Sequence, residues 1–209
     1  MIIQSDFDGT LTEEDVSFAL LDAFARDDWR KLYEQYRQSK MTVGDFNTKA
    51  FAMVKASREE LLKVAREHVK LRGGLRNLAN YCQERGFRFL VVSNGLDFYI
   101  KAILEDVGLG NIEVYAATTN FSPDGLEVQY IGPEGAVLKK GFKEAYTKLF
   151  LNQGYQVVCI GNGPSDYSPA ALAQDVFARD GLLDICKEKK LKCQPFDDLN
   201  DIVRGLEKL

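Results

Sequence analysis

Apolar residues follow two rhythms along this chain. Unbroken runs occur at Met1-Ile2-Ile3, at Phe87–Val92 (FRFLVV) and at Val157–Ile160 (VVCI). Short apolar runs without polar alternation predict strands buried on both faces. Between them, apolar positions recur at helical spacing. Val16, Leu20, Leu21 and Phe24 mark one helix, and Trp29, Leu32 and Tyr36 a second. Thr42 is placed to cap a helix containing Phe46 and Phe51, and Ser57-Arg58-Glu59-Glu60 has the pattern of a capping box. Later helices are predicted around Leu75–Cys82, over Asp97–Val107, along the Phe142-Tyr146-Leu149 face, around Ala170–Leu172 and from Leu199. Short strands are predicted at Val114–Ala117, Glu127–Ile131 and Val176–Ala178, with Ser122-Pro123-Asp124-Gly125 as a turn. Strands alternating with helices predict an α/β fold with a parallel sheet covered on both faces. From Glu13 to about Leu71 only helices are predicted. That block is too long for a simple crossover and reads as an inserted helical subdomain.

Ligands of open parallel sheets bind beyond the carboxyl ends of the strands. Three predicted strands end in polar, turn-forming sequences: Asp6-Phe7-Asp8-Gly9-Thr10, Ser93-Asn94-Gly95 and Gly161-Asn162-Gly163-Pro164-Ser165-Asp166. Taken singly, each is equally a surface turn, and Asp6 and Asp8 repel one another unless a cation or a proton lies between them. Taken together they make a site for attack on phosphorus. Asp6 is the candidate nucleophile and Asp8 the candidate general acid and base. Asn162 and Asp166 are available to a cation, Ser93 offers a hydroxyl, and a lysine of the Lys139-Lys140 pair is available to the phosphate.

Composition narrows the partners. The chain has 209 residues, with 31 acidic against 27 basic side chains and a net charge of −4. This mixed, mildly acidic balance argues against nucleic acid or an anionic membrane as partner. The apolar runs are too short to span a bilayer. Cys82, Cys159, Cys186 and Cys193 lack metal-ligand spacing and read as unpaired thiols, so a cytoplasmic location is the expectation. His68, the single histidine, sits in a charged helical stretch and reads as solvated or packing.

The ordered set of motifs resembles the haloacid dehalogenase superfamily of phosphohydrolases. DFDGT matches the first motif, Ser93 of VVSNG the second, Lys139 or Lys140 the third, and Asn162 to Asp166 the fourth. The resemblance implies a Rossmann-like core of residues 1–12 and 74–209 and a helical cap of residues 13–73. It implies hydrolysis of a small phosphorylated metabolite with Mg²⁺, through an aspartyl-phosphate on Asp6. Asp6, Asp8, Asn162 and Asp166 are the implied metal residues. Thr10, Ser93, Asn94, Gly95 and Lys140 are implied around the phosphate, and Asp15 around the substrate. Lys139 is preferred for the third motif because Phe142 and Tyr146 follow it at +3 and +7. Asp15, Leu71-Arg72-Gly73-Gly74 and the Phe177–Leu183 segment are similar to the phosphoserine phosphatase-like branch, and within it to the methionine-salvage phosphatases. Two departures stand out. The fourth motif begins with Asn162 instead of aspartate, which keeps open a phosphate-binding or regulatory protein with little turnover. The cap has Ala50, with Lys49 beside it, near the position of the arginine that holds the carboxylate of phosphoserine.

Overall fold

The computed structural model describes residues 1–209. Its strands are β1 (Ile2–Ser5), β2 (Arg88–Leu96), β3 (Glu113–Ser122), β4 (Gly125–Gln129), β5 (Val157–Gly161), β6 (Asp175–Ala178) and β7 (Gln194–Pro195). They form one sheet in the order β4-β3-β2-β1-β5-β6-β7. Every pairing is parallel except the β3–β4 hairpin. All four residues of β1 are buried, as an unbroken apolar run requires. Ser5 pairs with Val91 on one side and Ile160 on the other, which brings the carboxyl ends of β1, β2 and β5 to one level.

Helices α1 (Val16–Phe24), α2 (Trp29–Arg37), α3 (Val43–Phe51) and α4 (Arg58–His68) follow β1 without an intervening strand. The starts of α1, α3 and α4 are fixed by side-chain caps. Asp15 accepts from the Phe18 amide, Thr42 from the Asp45 amide, and Ser57 and Glu60 form a capping box. Each such cap contributes about 1 kcal/mol. Helices α5 (Leu75–Glu84), α6 (Asp97–Asp106), α7 (Phe142–Asn152), α8 (Tyr167–Leu172), α9 (Asp180–Lys189) and α10 (Leu199–Leu206) complete the molecule. No helix is long and apolar enough to cross a membrane.

The structure differs from the pattern-based expectation in three places. Strand β2 continues through Ser93-Asn94-Gly95 to Leu96, with an irregularity against β3 between Val92 and Leu96. Strand β3 runs well past Ala117 and turns back antiparallel, so the sheet is mostly rather than wholly parallel. Its outer residues are largely exposed, which removes the continuous apolar signal. Strand β7 has two residues, too few for any periodicity.

Candidate active site

The first strand hands Asp6 directly to the site. The Asp6 amide donates to the Ile160 carbonyl at 3.0 Å, extending the β1–β5 ladder by one residue. The chain then curls about one carbonyl: the amides of Thr10, Leu11 and Thr12 all donate to Phe7 O at 3.1, 2.9 and 3.1 Å. Gly9 permits this turn with φ of +72°, and a Cβ there would strike the Asn162 side-chain amide. The first and last polar strand endings therefore touch.

Asp6 accepts from the Phe7 amide through Oδ1 (2.7 Å), and its Oδ2 lies 2.8 Å from Lys143 Nζ. Lys143 is 3% exposed and lies 2.7 Å from Asp166 Oδ1 on its other side. Asp166 Oδ2 accepts from the amides of Asn162 and Gly163, both at 3.1 Å. Burial alone would push the Lys143 ammonium down, but the carboxylates of Asp166 and Asp6 overcome it and hold the pKa above the ordinary value. Lys143 is therefore a fixed positive charge beside Asp6.

Asp8 is held differently. Its Oδ1 accepts from the Val16 amide at 3.0 Å, and its Oδ2 from the Tyr99 hydroxyl at 2.5 Å. The Tyr99 hydroxyl also lies 2.9 Å from Ser17 Oγ. Tyr99 is wholly buried, and a Cβ on Gly95 would strike both its hydroxyl and Asp8 Oδ2. Burial, then the charges of Asp15 and Asp6, push the Asp8 carboxyl well above the usual range, while the Tyr99 and Val16 bonds pull it back. Burial likewise raises Asp15, to about 6. Two carboxyls so close in sequence thus have separate environments: Asp6 faces a cation, and Asp8 faces neutral donors and other acids. Such a division suits one group to attack and the other to carry a proton.

These residues open on a cavity of about 420 Å³, which Asp6, Asp8, Asp15, Ser93, Asn94, Gly95 and Asn162 all line. Three expectations need correction. Lys139 and Lys140 are exposed and do not line the cavity; Lys143 occupies the position assigned to them. Helix α7 starts only at Phe142, so its buried stripe is Phe142, Lys143, Tyr146, Thr147 and Phe150. That stripe carries Lys143 inward beneath Asp6, whereas Lys139 and Lys140 precede the turn at Gly141, where φ is +71°. Thr10 is fully buried and donates to Asn162 Oδ1 at 3.1 Å instead of facing the cavity. Asp166 also lies outside the cavity wall, with one oxygen on Lys143 and the other on the amides of Asn162 and Gly163.

Two further residues act where the linear pattern carried no signal for them. Asn47 of α3 donates through Nδ2 to the Asn94 carbonyl (2.9 Å) and to the Tyr130 hydroxyl (2.6 Å), tying the helical segment to the end of β2. Arg72 is buried with no carboxylate partner. Its guanidinium donates to the carbonyls of Thr10 (2.8 Å), Gly9 (3.0 Å), Thr12 (2.9 Å) and Asp197 (3.3 Å), clamping the turn behind Asp6. The Arg72-Gly73-Gly74 segment stood out in the sequence, but its target 60 or more residues away did not.

No three His, Cys, Asp or Glu side chains are arranged to hold a metal ion. Among the oxygen donors that line the cavity, the Asp6 carboxylate and the Asn162 side-chain oxygen come from the ends of the paired strands β1 and β5. Magnesium commonly binds through one or two carboxylates, waters and substrate phosphate, and these donors meet that minimum.

A mostly parallel sheet that brings two aspartates to the end of its first strand, beside a buried lysine from α7, places the molecule in the α/β class. The chain belongs to the haloacid dehalogenase-like hydrolase family, whose model matches residues 3–171. It is 29% identical to a 2-hydroxy-3-keto-5-methylthiopentenyl-1-phosphate phosphatase of Geobacillus kaustophilus, over all of this chain and 96% of the relative. A protein of the same name from Brevibacillus brevis is 27% identical, with 100% and 96% covered. Among solved structures, a phosphoserine phosphatase of T. onnurineus superposes with a TM-score of 0.74 at 18% identity, covering 100% of this chain and 94% of that one. A substrate-bound phosphoserine phosphatase gives 0.72 at 21%, covering 98% and 97%. These likenesses to solved structures establish the shared fold.

Proposed function

We propose that the protein hydrolyses a small-molecule phosphomonoester in two steps through Asp6. The observation that carries this reading is the unequal treatment of Asp6 and Asp8. Asp6 is paired at 2.8 Å with a buried lysine, and Asp8 is held by Tyr99 and Val16 with its pKa raised.

In the first step an Asp6 oxygen forms a bond to phosphorus as the ester P–O bond breaks, and Asp8 gives its proton to the departing alkoxide. In the second step Asp8, now a carboxylate, takes a proton from water as the water oxygen bonds to phosphorus and Asp6 is released. Lys143 offsets negative charge gathered between Asp6 and the phosphoryl oxygens, and Asp166 keeps it in place. Ser93 and the amides after it line the phosphate end of the cavity. Asp6 and Asn162 would hold Mg²⁺, which when bound neutralises phosphate charge against the attacking carboxylate. Helices α1 to α4 serve as a cap that closes over the organic part of the substrate and excludes water.

The test is phosphate release from p-nitrophenyl phosphate with Mg²⁺, together with acid-quenched labelling from a ³²P-phosphomonoester. Release and label should both vanish in Asp6→Asn. Undiminished release in that variant overturns the reading. The asparagine at position 162 favours a second one, a phosphate-binding protein with little turnover. A wild-type chain that binds inorganic phosphate yet releases none from a broad phosphomonoester panel would support it.

A further inference from the structure

The charge on the cavity walls is lopsided. Asp6, Asp8, Glu13, Glu14, Asp15 and Asp180 line it, against a single cationic side chain, Lys143. That one cation is already committed, at 2.8 Å from Asp6 and 2.7 Å from Asp166. Arg179, the nearest basic neighbour of Asp180, pairs with it at 2.8 Å and donates to the Asp197 carbonyl, away from the cavity lining. No lysine or arginine is therefore left for a second anion.

The helical segment adds four aromatic rings to the wall. Phe18 of α1, Tyr33 and Tyr36 of α2 and Phe46 of α3 line the cavity. The rings brace one another, with Phe18 edge-on to Tyr33 at 4.9 Å and Tyr36 stacked on Phe46 at 5.9 Å. Aromatic faces are negative, so they receive apolar or ammonium groups and repel carboxylates. Asp15 stands at the head of α1, the helix that carries Phe18.

We infer that the cavity takes phosphomonoesters whose alcohol carries no anion besides the phosphate, its uncharged or ammonium-bearing end lying against the aromatic wall. This inference rests on the phosphatase reading for its chemistry, although the selection itself acts at binding. A second anion would enter a wall of carboxylates without a counter-charge, and repulsion of that kind is a strong device for specificity.

Two matched pairs test it, each differing by one carboxylate: phosphoethanolamine against phosphoserine, and glycerol 1-phosphate against 3-phosphoglycerate. The anion-free member of each pair should be favoured in kcat/KM by ~30-fold or more, as expected for an unscreened like-charge contact. Binding of the same four compounds, measured by calorimetry on Asp8→Asn with Mg²⁺, should keep that order. The binding arm reads selection even if no compound turns over, so it separates this inference from the phosphatase reading. Replacing Glu14→Gln and Asp15→Asn together should narrow both ratios. Equal treatment of either pair, or ratios that the double substitution leaves unchanged, would overturn the inference.

Discussion

Replacing Tyr99→Phe removes one oxygen and leaves the ring packed between Phe7 and Phe98, at centroid distances of 6.3 and 5.6 Å. What is lost is the 2.5 Å bond from the hydroxyl to Asp8 Oδ2, together with the 2.9 Å contact with Ser17 Oγ. A hydrogen bond to a charged group contributes about 1.5–3 kcal/mol. The bond to Asp8 favours its ionised form, so its loss raises the pKa of a carboxyl that burial has already pushed up. At 1.36 kcal/mol per unit, the rise is about 1–2 units. In the proposed mechanism Asp8 carries the proton that goes to the leaving group, so the basic limb of kcat/KM would report loss of that proton. The limb should therefore move to higher pH by about that amount. The plateau should fall as well, because the same bond aims the carboxyl. Leaving-group chemistry supplies a control. Nitrophenolate departs with little help from an acid, whereas an alkoxide needs the proton, so the plateau loss should be larger for glycerol 1-phosphate than for p-nitrophenyl phosphate. A basic limb that stays still or moves down, or equal plateau losses for the two substrates, refutes the assignment of Asp8 as acid.

Three other outcomes are expected. Lys143→Met should lower kcat by about 10²- to 10³-fold, the scale of losing one fixed charge-stabilising donor, and should lower the denaturant midpoint because Asp6 and Asp166 lose their counter-ion. Lys139→Ala and Lys140→Ala should leave both measurements nearly unchanged. Asn162→Asp adds the missing carboxylate, so titration of activity with Mg²⁺ should saturate at lower metal concentration; an unchanged or higher requirement would count against Asn162 as a ligand. In metal-free protein, Asp15 has a folded pKa of about 6, above its unfolded value. Its contribution to stability is therefore full below the unfolded pKa and is lost as pH rises through about 6. Tm should rise on acidification from pH ~7.5 to ~5, and Asp15→Asn, which retains the helix cap, should flatten that slope.

How much of this was legible in the sequence follows from where the signals are local. Strands β1, β2 and β5 each carry a short buried apolar run, so the polar sequences that follow those runs could be found, and with them Asp6, Asp8, Ser93 and Asn162, which line the cavity. Lys143 was hidden by its surroundings. It lies one residue beyond Phe142 on a stripe that is otherwise aromatic, aliphatic or hydroxyl, and the adjacent Lys139-Lys140 pair drew the assignment. The useful signal was the stripe itself: Phe142, Lys143, Tyr146, Thr147 and Phe150 share one helical face, while Lys139 and Lys140 lie before its start. Tyr99 and Asn47 have no local mark at all. Each is a polar residue in an ordinary helix, and only tertiary packing brings one to Asp8 and the other to Asn94. The contact of Asp166 with Lys143 was not foreseen, because its distance to a lysine in another helix has no counterpart in spacing along the chain.

The Arg72 clamp bears on how the protein comes to be made. Its guanidinium joins Gly9, 63 residues before it, to Asp197, 125 residues after it. Close by, the Leu199 amide donates to the Gly73 carbonyl and the Asn77 side chain donates to Asn200. During synthesis the turn that carries Asp6 leaves the ribosome well before the Asp197 carbonyl, which follows the last strand of the sheet. Until then the guanidinium lacks one of its acceptors, and Gly73 the partner that packs α10 over α5. A nascent chain can therefore pair its central strands while the turn that carries Asp6 still lacks part of its clamp, so a segment that contributes nothing to the cavity lining completes the support of its first aspartate.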